Sequence, residues 1–206
     1  MILKSIAVGA YQENTYFLID EITKEAVIFD PGAQAELIFN IIERLNIKPK
    51  MILLTHGHFD HVGAVREVKN KYEIPFYISK EDEDMRKIDS RLFGEIPKVD
   101  GYLKDGDKLT FGNGKEIKVI TTPGHTPGGI CFLCEDILIT GDTLFNGSIG
   151  RTDFTGGDFN TLISSIKNKL LDLGDNIKVY PGHGAESTIG YEKRHNPYIL
   201  GDDYVY

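Results

Sequence analysis

Seven side chains stand out for what they could do together. His56, His58, Asp60 and His61 fall within six residues, and His125, Asp142 and His183 follow at intervals. Imidazole nitrogens and carboxylate oxygens at this density are metal-ligating groups suited to zinc, iron or manganese, and the absence of thiolates among them argues against a closed structural zinc site. A divalent metal held this way can bring the pKa of a bound water down to about 7 and polarise a carbonyl.

Blander readings compete with this one. A single histidine at a strand end is more often a polar or packing residue than a ligand, and Asp142 alone could cap a turn. Yet five of the six histidines sit in glycine-containing loops, three of them in the 56–61 stretch. Solvation and capping do not produce that concentration, so the metal reading prevails.

The elements that must position these residues follow from apolar periodicity. Segments 3–8, 15–19, 26–29, 51–54 and 75–78 read as strands. Leu37, Ile38, Ile41, Ile42 and Leu45 recur at helical spacing, and Val62, Val65 and Val68 predict a second helix. The charged 80–101 segment is ambiguous, with short helices and a mobile loop expected. Hairpins are predicted at 108–121 around Gly112-Asn113-Gly114 and at 130–140 around Glu135-Asp136. A helix capped by Asp158 carries Phe159, Leu162, Ile163, Ile166 and Leu170 on one stripe, followed by a strand at 177–180 and a helix at 188–195. The clusters at 55–61, 121–126, 140–145 and 181–184 all come directly after apolar strands, where open α/β sheets bind ligands. The element order suits a layered α/β domain.

Composition narrows the classes. The chain has 206 residues, a formal charge of −8 and 41% apolar residues, which is ordinary globular composition. An acidic balance argues against nucleic acid. No apolar run reaches membrane-helix length, and the start lacks a signal-peptide pattern, so the cytoplasm is expected. Cys131 and Cys134 lie three apart on a predicted strand, facing opposite sides, and read as buried thiols.

The seven residues, in order, with Asp30-Pro31-Gly32 before them, resemble the metallo-β-lactamase superfamily over nearly the whole chain. The resemblance implies a four-layered αββα sandwich, a single domain over 1–206. It also implies two divalent metal ions, zinc as first choice with iron or manganese as alternatives. His56, His58 and His125 would hold one ion, Asp60, His61 and His183 the other, with Asp142 bridging. Asp142, the Gly150-Arg151-Thr152-Asp153 stretch and the 187–198 ending are similar to short glyoxalase II-type hydrolases. The implied reaction is cleavage of a small anionic thioester by a metal-bridging hydroxide that Asp60 helps to orient. Only 23 residues of the sequence follow His183, so the helical domain that binds glutathione in full-length glyoxalase II is not expected.

Outside the metal set, Arg151 could hold a substrate carboxylate, with an anchoring salt bridge favoured. Lys193 and Arg194 could meet an anionic thiol carrier, against the alternative of a solvated helix; His195 is not a ligand. A persulfide dioxygenase using one iron on His56, His125 and Asp142 is the rival from another reaction class. A nuclease of the same fold ranks third, since no basic surface is visible.

Overall fold

The computed structural model describes residues 1–201. The first half runs β1 (Ile2–Val8), β2 (Glu13–Ile19), β3 (Glu25–Phe29), α1 (Ala35–Leu45), β4 (Lys48–Leu53), α2 (Phe59–Val62), α3 (Val65–Tyr72), β5 (Phe76–Ile78), α4 (Lys80–Met85) and β6 (Gly101–Tyr102). Its six strands form one mixed sheet in the order β1-β2-β3-β4-β5-β6. The second half runs β7 (Lys108–Phe111), β8 (Lys115–Thr121), β9 (Ile130–Cys134), β10 (Ile137–Gly141), β11 (Leu144–Phe145), β12 (Ser148–Ile149), α5 (Phe159–Ser165), β13 (Lys178–Pro181), β14 (Ser187–Thr188), α6 (Ile189–His195) and α7 (Pro197–Leu200). The second sheet has the order β14-β13-β10-β9-β8-β7, and β11 and β12 make a small separate hairpin.

Alternation along the strands explains the layering. Tyr16, Leu18, Val27, Phe29 and Leu53 point to the space between the sheets, where they meet Val119, Phe132 and Ile139. Their neighbours Phe17, Ile28 and Ile52 point outward and pack against Ile38, Ile42, Val65 and Val68 of α1 and α3. On the other side, Ile120, Leu138 and Val179 meet Leu162, Ile166 and Leu170. Strands buried on both faces read as continuous apolar runs for this reason. The result is the expected αββα sandwich. Cys131 faces the outer layer and Cys134 the inner one, both buried and free.

Several elements differ from the sequence expectation. The helix predicted through Val62, Val65 and Val68 is two helices, because the Ala64 N–H is drawn 2.9 Å to Pro31 O and turns the chain. The stripe after Asp158 begins as α5 but widens into a π-helical turn at Ile166–Leu170. The Asp158 carboxylate caps it, accepting from Thr161 N at 2.7 Å. Where a mobile loop is expected after residue 80, the chain is anchored. Phe93 is buried and bridges to His58, and Phe59 N donates to Leu92 O at 3.0 Å. No helix among the described residues is long and apolar enough to cross a membrane.

Candidate metal centre

Four strand ends converge to build the site. His56 and His58 follow β4, Asp60 and His61 ride on α2, His125 follows β8, Asp142 follows β10 and His183 follows β13. Because β10 and β13 are parallel, and β8 is related to β10 through two antiparallel steps, the second sheet delivers three of these loops to one edge. The first sheet is sewn to that edge by β2. Asn14 N donates to Gly182 O at 2.7 Å, and the Tyr16 hydroxyl donates to Pro181 O at 2.7 Å. Two glycines allow the close approach. A Cβ on Gly182 would stand 2.4 Å from Asp142 Oδ1 and 2.6 Å from His61 Cε1, and one on Gly150 would stand 1.8 Å from Asp142 O.

All seven predicted residues come together. His56, His58 and His125 form one group able to hold a cation, and Asp60, His61 and His183 form a second. His58 Nδ1 is 3.0 Å from both His56 Nε2 and His125 Nε2. Asp142 reaches both groups, with Oδ1 3.4 Å from His61 Nε2 and Oδ2 3.6 and 3.7 Å from the Nε2 atoms of His125 and His183. Asp60 Oδ2 is 3.3 Å from His183 Nε2.

The outer nitrogens fix the ring tautomers. His125 Nδ1 donates to Arg151 O at 2.7 Å, and His183 Nδ1 donates to Tyr11 O at 3.1 Å. His61 Nδ1 donates to Asp30 Oδ2 at 3.0 Å. Thr55 spends its one hydroxyl proton on Asp30, so its oxygen accepts from His56 Nδ1 at 3.0 Å. Four rings therefore spend Nδ1 outward and aim Nε2 inward, where a bound cation takes the place of any proton. His61 Nε2 and Asp142 Oδ1 are buried, face one another and have no hydrogen-bond partner. Two facing lone-pair atoms need a cation or a proton between them. The donor set thus fits divalent metal.

Titration follows the same division. Burial and the neighbouring imidazoles hold His56 well below its usual range, and burial with His125 beside it brings His58 down to about 3. Burial also opposes charge on His61, but Asp142 and Asp30 outweigh it and hold the ring well above its usual range. His183 is raised by Asp60 and Asp142 against burial. Burial pushes the Asp142 carboxyl up, yet His61 and His125 bring it below the usual range.

Three supporting carboxylates were not legible as such. Asp30, which enters the sequence reading only as part of the Asp30-Pro31-Gly32 motif, holds Thr55 and His61. Glu13 is fully buried, with Oε1 3.8 Å from His61 Nδ1, and burial raises its carboxyl well above the usual range. Asp82 of α4 ties the two loops of the first group together. It accepts from Gly57 N at 2.9 Å, Gly128 N at 2.7 Å and Thr126 Oγ1 at 2.8 Å, while itself fully buried. Only the position of Asp30 at a strand end could have flagged any of them.

The basic residues divide differently. Arg151 lines the cavity above the site, but its guanidinium is bidentate to Asp153 at 2.8 and 2.7 Å. Its backbone carbonyl is what touches the ligand set. Lys193 and Arg194 are not among the cavity-lining residues; both pair with Asp175 at 3.0 Å.

Fold and site together are those of a metallo-hydrolase. The chain belongs to the metallo-beta-lactamase superfamily, whose model matches residues 8–183. It is similar to the hydroxyacylglutathione hydrolase GloC of Haemophilus influenzae, 41% identical over 97% of this chain and 98% of that protein. Among solved structures, the B3 metallo-beta-lactamase BLEG-1 superposes with a TM-score of 0.89, at 39% identity over 97% of this chain and all of the other. TTHA1623 in a di-iron-bound form gives 0.84 at 33% identity, over 95% and 99% of the two chains.

Proposed function

We propose that this enzyme is a dinuclear metal-dependent hydrolase of glyoxalase II type that cleaves a small acyl thioester. The observation that carries the proposal is Asp142, whose two oxygens face the bare nitrogens of both ligand groups. His56, His58 and His125 would hold one ion and Asp60, His61 and His183 the other, with Asp142 shared. Zinc is the first choice, and TTHA1623 offers a precedent for iron in a related chain. When bound, the ions supply an acidified water and Lewis-acid polarisation of the scissile carbonyl.

The chain's own groups do the rest. Asp60 lines the cavity, and its carboxyl lies below the usual range because His183 and His61 offset burial, so it stays ionised and can accept a hydrogen bond from the attacking water. Asp30, Thr55, Arg151 O and Tyr11 O keep the imidazoles aimed. The departing thiol has an ordinary pKa of about 8.5, so it can leave as thiolate without a dedicated acid. Similarity to GloC supports the thioester reading.

The test offers the metal-loaded enzyme a thioester panel that includes lactoylglutathione and, separately, glutathione persulfide, with oxygen uptake recorded in parallel. Thioester cleavage without oxygen uptake is expected. Oxygen consumption with glutathione persulfide and no thioester cleavage would overturn the proposal in favour of the dioxygenase.

A further inference from the structure

The cavity over the two ligand groups has a volume of about 540 Å³, with a polar floor made by the ligands themselves. Its walls are of another character. Phe154 stands edge-on to His58 with centroids 6.0 Å apart, and Phe145 stands steeply against His183 at 6.3 Å. Each ligand group therefore has an aromatic ring beside it. At the mouth, Tyr11 and Phe59 pack edge to face at 5.3 Å, yet stay 62% and 39% exposed.

Charge on the walls is scarce. Apart from the candidate ligands, Arg151 is the only charged residue among those lining the cavity. Its guanidinium lies 3.6 Å over the Phe154 ring and is forked onto Asp153. With Lys193 and Arg194 engaged by Asp175, the wall offers no free cation to a carboxylate placed inside. Desolvating such a group against phenyl rings is unfavourable, whereas burying an apolar one is favourable.

The scissile carbonyl must sit over the polar floor, and the bulkier thiol carrier must pass out over the exposed face of the packed Tyr11–Phe59 pair. The arm left inside is the acyl group. We infer that the cavity is built for a thioester with an uncharged, apolar acyl group of about phenyl size, seated against the Phe154 and Phe145 walls. This rests on the hydrolase reading and revises its expected anionic substrate. Negative charge belongs on the carrier beyond the mouth.

The experiment holds the carrier constant. Phenylacetyl and lactoyl thioesters of glutathione are compared on the metal-loaded enzyme, and the phenylacetyl compound should have the higher kcat/KM by about tenfold or more. Phe154→Ala and Phe145→Ala should each shrink that ratio. Both rings are half-buried, and Phe154→Leu serves if the alanine variant is unstable. Ketone analogues, with CH2 replacing the ester sulfur, are titrated by calorimetry alongside. If neither thioester is cleaved, the hydrolase reading fails, and the calorimetry still decides the inference. Tighter binding of the phenylacetyl analogue supports it. Equal or weaker binding, or faster cleavage of the lactoyl compound, overturns it.

Discussion

Replacing Asp82 with asparagine probes how the first ligand group is held. Burial raises the Asp82 carboxyl from 3.8 to about 6, against three hydrogen bonds that favour the charged form. A raised folded-state pKa means stability that is present at low pH and lost as pH rises through about 6. Wild type should therefore lose about 1.4 kcal/mol between pH 5 and pH 7.5 relative to the non-titrating amide. For a chain of this size that corresponds to roughly 3–5 °C in Tm. The amide also carries one acceptor where Gly57 N and Gly128 N meet different oxygens. One backbone N–H is left facing an N–H, a pH-independent cost of about 1–3 kcal/mol.

Thermal melts of both proteins in chelator at the two pH values isolate the titrating part, because the histidines are common to both. The Tm of the variant should gain on wild type as pH rises. Loosening of the two loops should also weaken metal affinity by about 10–100-fold in competition with a chromophoric chelator. A variant that loses ground with rising pH, or one that keeps full metal affinity, would refute the reasoning.

Three other outcomes are expected. Asp142→Ala should bind fewer than two metal ions per chain by elemental analysis, since Asp142 faces His61 and His183 of one group and His125 of the other. Metal binding to the metal-free protein at pH 7 should release protons, and affinity should fall as pH drops. Calorimetry in buffers of different ionisation enthalpy reads this, because the carboxylates raise the proton affinity of His61 and His183 against burial. Glu192→Ala should cost about 2–4 kcal/mol in denaturant unfolding. It removes the acceptor of Gly147 N and Ser187 and one of the two acceptors of Asn196 Nδ2, and loosens the hairpin that carries Phe145.

The ligand residues were legible because each is a polar interruption directly after an apolar strand. Their grouping was carried by resemblance, and only packing brings β4, β8, β10 and β13 to one place. Asp82 was hidden because its acidic neighbours Glu81, Glu83 and Asp84 make α4 look like a solvated face. Ser79 caps that helix and turns Asp82 inward onto two distant loops. Glu13 reads as an ordinary strand-end glutamate until the closing of β2 against the His183 loop buries it. Arg151 drew notice for its charge, yet it aims His125 with its carbonyl, which no side-chain pattern records. The basic cluster at 193–194 is balanced by Asp175, eighteen residues from the first of them in sequence.

Stepwise reconstitution of the metal-free enzyme tests the central claim most directly. Thioester hydrolysis is followed against bound metal, counted by elemental analysis. With two groups sharing Asp142, the rate should climb until two equivalents are bound per chain and then level off. A full rate at one equivalent, or a rate indifferent to metal, would contradict the account.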